Sequence, residues 1–173
     1  MKPILLLLVA LSSFPTWSAE LPTAEQSLLV GLVTQVVTAY EIGDAETIAE
    51  LTFEPLVAAA GGADAFRAIA KQAIEQQRKM GMSIESITVG KPGEPISAGQ
   101  YTLCFIPKVT VMKTSKRLGK STSFMVAVRN AENPRWQFIE GAGVRKNPQI
   151  LKLLFPELPD DVSLPEYKVE FLP

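Results

Sequence analysis

The sequence predicts an α+β fold, with helices packed on a curved antiparallel sheet. Two patterns point to it. Apolar residues between 24 and 79 recur at helical spacing, and those between 82 and 141 alternate along long runs joined by short turns. A third observation sets the scale: about 155 residues follow an N-terminal apolar stretch, enough for one core and too few for a second independent domain.

That stretch is "MKPILLLLVALSSFPTWSA", residues 1–19. Lys2 gives a positive start, Ile4 to Leu11 is unbroken and apolar, and small residues follow Pro15. This is the build of a secretory signal peptide. The run falls short of the roughly 20 apolar residues that cross a bilayer, so the expected mature form has no transmembrane anchor. Cleavage after Ser18 leaves Thr16 and Ser18 at the small-residue sites. Cleavage after Ala19 would place bulky Trp17 there. The expected location is therefore outside the cytoplasm, periplasmic or secreted, in a bacterium.

Leu29, Leu32, Val33, Val36, Val37 and Tyr40 form one stripe of a first helix, from about Ala24 to Glu41. Gly43 ends it. Asp44 caps a short second helix carrying Ile48 and Leu51. After a turn at Gly61–Gly62, a third runs to about Lys79 with Phe66, Ile69, Ala70, Ala73 and Ile74 inward.

"MSIESITVG" opens the strands, and "KPGEP" closes it. "QYTLCFIPKVTVMK" is long, and its Pro107 predicts a bulge or a sheet edge. "TSKRLGK" is a basic turn. "STSFMVAVRN" and "RWQFIEG" complete a meander. Asn147 and Pro148 read as the cap and first residue of a helix through Phe155. A proline-rich extended tail follows. The predicted organisation is a signal peptide at 1–19, an α+β domain at 20–146, and a tail at 147–173 packed on it.

Composition excludes several functions. Without Lys2 there are 16 basic and 18 acidic side chains. That balance gives no electrostatic case for nucleic acid. The absence of histidine removes Ser-His-Asp and Cys-His catalysis and the common histidine-containing zinc sites. No metal and no cofactor is expected. Cys104, the one cysteine, cannot form an internal disulfide and reads as a small buried hydrophobe.

"AYEIGDAETIAELTFEP", "GGADAFRAIAKQ" and a meander ending in "RWQFIEG" resemble the nuclear transport factor 2-like superfamily. The resemblance covers roughly residues 24–143. It implies a cone-shaped, cystatin-like roll of three helices on a curved antiparallel sheet, with a pocket between them. The tail "LKLLFPELPDDVSLP" resembles a segment of exported bacterial members. The superfamily holds enzymes, binding proteins and immunity-type proteins, so the fold alone does not choose. Where its ketosteroid isomerases place their base and oxyanion tyrosine, this chain has the neighbourhoods of Ala60 and Val36, and both roles are vacant.

If the last strand lines that pocket, Trp136 and Phe138 are its wall and Glu140 sits at one end. Tyr40 and Phe105 join them as ligand-binding candidates. Glu140 is also the first catalytic candidate, since a desolvated carboxyl can move protons. Its structural alternative is a strand terminus paired with Arg129 or Arg145. Glu54 is the second candidate acid, for a carboxylate pair or as a solvated loop residue. Lys108, Lys113, Lys116, Arg117 and Lys120 crowd one hairpin, as a solvated turn or as a contact for an acidic partner.

The expected function is non-catalytic binding, of a small apolar ligand in the pocket or of an envelope protein on the sheet. One alternative is a hydrolase or isomerase using Glu140 with Glu54 or Tyr40. Another is an envelope interaction or immunity-type protein. Facing Tyr101, Leu103, Phe105, Phe124, Val126, Trp136 and Phe138 into the cone leaves Cys104, Ile106, Met112, Met125, Ala127 and Ile139 outside, too apolar for water. A sheet-to-sheet homodimer is the expected cover, because the four prolines of 156–173 limit regular structure in the tail. The tail itself is the alternative.

The signal-peptide reading predicts that protein recovered from the cell envelope lacks everything before Glu20 or Ala19. Intact-mass measurement checks this, and retention of Met1 or Lys2 there would contradict it.

Overall fold

The structure, a computed structural model, describes residues 20–114 and 117–172. The predicted signal peptide lies outside them. In chain order the described residues form α1 (Thr23–Ile42), α2 (Ala45–Leu51), α3 (Glu54–Ala59), α4 (Ala63–Lys79), β1 (Ser83–Val89), β2 (Ile96–Ala98), β3 (Tyr101–Lys113), β4 (Leu118–Asn130), β5 (Gln137–Glu140), α5 (Gly141–Lys146), α6 (Gln149–Leu154) and β6 (Lys168–Phe171).

The helix boundaries follow local chemistry. Gly43 takes a left-handed conformation (φ 87°) that ends α1. The Asp44 carboxylate accepts from the amides of Glu46 and Thr47 and starts α2. In α4 only Ala70 and Ile74 are buried, with Phe66 half-buried on the same stripe. Ile69 and Ala73, expected inward, face solvent. The helix packs on α2 rather than on the sheet, so a narrow stripe suffices.

All strand pairs are antiparallel, in an open, curved sheet of six strands. β3 and β4 pair in one unbroken register from Tyr101–Asn130 to Lys113–Leu118. Each outer edge of this hairpin is filled by two short strands end to end. β1 and β2 lie along β3, and β5 and β6 lie along β4. Pro107 makes no bulge; it pairs in register with Phe124. Its carbonyl accepts from the Gly90 amide in the gap between β1 and β2. A residue's N–H and C=O share one side of a strand, so the missing N–H falls at this gap, where no ladder bond is lost. The bulge lies in β1 instead, between Ile84 and Ser86.

The hairpin is apolar on both faces. Cys104, Ile106, Met125 and Ala127, with Trp136 and Phe138, pack against Leu29, Val33, Val36 and Val37 of α1. Leu103, Phe105, Phe124, Val126, Val128 and Ile139 pack against Val144, Leu151, Phe155 and Leu158. The face assignment inferred from sequence is therefore reversed for β3 and β4, and correct for Trp136 and Phe138. The bulky rings meet the tail side, where Phe53, Tyr101 and Phe155 cluster with centroids 5.2–5.9 Å apart.

The tail thus covers the sheet face turned away from α1, while Cys104, Ile106, Met125 and Ala127, the residues for which a sheet-to-sheet dimer was the expected cover, lie under α1. The tail's prolines do not prevent its packing there, because α6 lies before most of them and β6 after Pro165. The turn into the tail depends on Gly141. A methyl group there would collide with the carbonyl oxygen and ring of Phe124, so no other residue lets β5 turn into α5 so close to β4.

Candidate functional site

The helix-facing side of the sheet changes character along its length. Beyond Cys104 and Ile106, the next inward positions of β3 are Lys108 and Thr110, and β4 contributes Ser123. All three are buried polar residues, Lys108 only 8% exposed. β5 brings Glu140 to the same region by pairing it with Met125. The Lys108 ammonium donates to the Glu140 carboxylate at 2.7 Å. The other Glu140 oxygen accepts from the Ala142 amide at 3.4 Å, capping α5. Glu140 is half-exposed, so solvent screens the pair and lowers its worth relative to a fully buried one.

An apolar cavity of about 240 Å³ opens beside Glu140. Val36, Leu51, Leu56, Phe66, Phe138 and Val144 form much of its wall. Tyr40 also lines it and separates it from a smaller cavity of about 140 Å³ under Arg78, Met82 and Met112. Among the described residues no hydrogen-bond partner is recorded for the Tyr40 hydroxyl. Burial, and then the charge of Glu140, pushes its pKa from the ordinary 10.0 up to about 12. At neutral pH the phenol is therefore protonated and able to donate.

Three of the five expected pocket residues, Tyr40, Phe138 and Glu140, line this cavity. Phe105 lies on the opposite face, edge-to-face with Phe124. Trp136 is buried at the far end of α1, where its indole donates to Glu25 at 3.1 Å and Arg129 lies over its ring. Arg129 pairs with Glu25, not with Glu140. Glu54 begins α3 and is exposed, lining a different shallow cavity beside Phe53 and Tyr101. The two candidate acids do not converge. Lys108, grouped by sequence with the solvated basic turn, is the partner that was missed. Its place two residues after Ile106, on the face of Cys104, is the signal that finds it once that face is known to meet α1.

The crossing between α2 and α3 is tied to this site. The Phe53 amide donates to the Phe138 carbonyl at 3.0 Å, and Gln137 donates to the Thr52 carbonyl at 3.3 Å. These bonds hold Leu51, Thr52 and Leu56 over the end of β5. Cys104 donates to the Gly93 carbonyl at 3.1 Å, and burial pushes its thiol up to about 11, so it stays protonated at neutral pH and is no nucleophile. Among the described residues no group of three or more Cys, Asp or Glu is placed to hold a metal ion.

Tyr40 yields a pH prediction. Its folded pKa lies above the unfolded value of 10.0. Its contribution to stability is then fully present below pH 10 and lost as pH rises from 10 toward 12. In a phenolate absorbance titration, the step removed by Tyr40→Phe is expected near pH 12; a step at the ordinary value would contradict the buried placement.

Compared with known proteins, the chain matches no family model, no curated sequence and no solved structure.

Proposed function

We propose that this is an exported, non-catalytic binding protein with a nuclear transport factor 2-like roll, whose cavity takes a small apolar or amphipathic ligand. Helices on one face of a curved antiparallel sheet, with a cavity at their junction, support the roll. The observation that carries the binding reading is the cavity's composition: apolar walls, one unbonded tyrosine hydroxyl and one carboxylate. Such sites bind by apolar contact and orient by a few polar groups. Its volume exceeds that of a cavity of about 150 Å³ known to hold benzene, so the fitting ligand is one or two rings, or a short chain, with one polar end.

Binding is favoured over hydrolysis or isomerisation because, among the described residues, a single acid lines the cavity, and Lys108 already engages it. A paired-carboxylate mechanism needs a second acid with a separate environment, and Glu54 stands elsewhere. An immunity-type protein without a pocket role would have its interior filled.

Filling the cavity separates these readings. Leu56 is half-buried on α3 and lines the cavity wall. Calorimetric titration with naphthalene and decanol is expected to give binding that Leu56→Trp abolishes while the melting temperature is kept. Undiminished binding to the variant would place the ligand elsewhere. No binding of either compound to the wild type would contradict the reading.

A further inference from the structure

Among the described residues, β6 is the strand with the most exposed apolar side chains. Val169 is 52% and Phe171 61% exposed. Among the described residues β6 pairs with β4 alone, so its other edge has no strand beside it. An open edge of this kind is a template for another chain.

Which backbone groups that edge presents follows from the ladder. The Leu172 amide donates to the Leu118 carbonyl at 2.9 Å. In an antiparallel pair, alternate residues bond to the same neighbour. Lys168, Glu170 and Leu172 therefore turn their N–H and C=O groups toward β4, and Val169 and Phe171 turn theirs outward. The charged side chains, Lys168 and Glu170, alternate with the apolar ones and lie on the other face of the sheet.

We propose that this edge is a self-association surface. Two copies join through antiparallel pairing of their β6 strands, with Val169 opposite Val169 of the second copy. This register is the one the residues select. Val169 can exchange both of its outward hydrogen bonds with its counterpart across the two-fold axis. Lys168 of each copy then faces Glu170 of the other, and opposite charges directly across a ladder are favourable. The neighbouring register with outward-facing residues sets Val169 against Phe171 and brings the two Glu170 carboxylates together, which is unfavourable. The segment "KVEF" is self-complementary in the first register only. A two-fold axis of this kind makes an isologous contact that closes at a dimer, not a fibre. The contact is short, well below the size of a permanent interface, so the dimer is weak and concentration-dependent.

Sedimentation velocity of the protein from micromolar to millimolar concentration tests this. The wild type is expected to move from monomer toward dimer and to stop there. Val169→Pro removes an outward N–H and no bond to β4, so circular dichroism and melting temperature should be kept while dimerisation is lost. Lys168→Glu, which sets acids opposite each other, should weaken the dimer at least about tenfold. A wild type that stays monomeric at millimolar concentration would overturn the proposal. So would a folded Val169→Pro protein that dimerises as well as the wild type, since the contact would then lie elsewhere.

Discussion

The β3–β4 hairpin has two apolar faces, and one chain must cover both. Leu103, Phe105, Phe124, Val126 and Val128 point one way; Cys104, Ile106, Met125 and Ala127 point the other. Burial of each large side chain is worth about 1.5–3 kcal/mol, and leaving either face wet would forfeit several of them. Helices built before the hairpin cover one face. The segment after it covers the other. The short strands along its edges then complete the hydrogen bonding that the long strands leave open.

The candidate site lies where these coverings run out. Past Ile106 the helix-facing surface turns polar, and Lys108, Thr110 and Ser123 are buried there. Glu140 arrives from β5 to balance the Lys108 charge, and Gly141 lets the chain turn into α5 directly afterward. The cavity sits between this polar end and the short helices α3, α5 and α6. An apolar chamber with a polar rim is thus a by-product of how the second face is reached, and that geometry supports the binding proposal.

Much of the fold is legible in the sequence because local signals agree with the tertiary outcome. The α1 stripe from Leu29 to Tyr40, the Gly43 stop, the Asp44 cap and the long alternating strands all appear where their patterns place them. Four features were not legible. The assignment of faces failed because alternation gives two faces but not which one meets the helix. Helices α3 and α5 were hidden because each is six residues long, too short for periodicity to register. Strand β6 was hidden because its pairing with β4 is long-range. Tyr40, Phe138 and Glu140 were placed at the cavity from the strand pattern and the fold resemblance, while Phe105 went with the misassigned face. Lys108 was missed because a lysine beside a basic turn looks solvated, and only the cross-strand neighbour Ser123 and the ion pair to Glu140 show that it is not.

Native-state hydrogen exchange tests the two-faced core most directly. The Phe155 and Leu158 amides bond to the Leu151 and Phe155 carbonyls over the second face. If that cover is part of the core, they exchange through the same global opening as the central amides of β4, with the same opening free energy. Fast exchange of Phe155 and Leu158 alongside a fully protected β4 would contradict the account, by showing a sheet that is stable without its second cover.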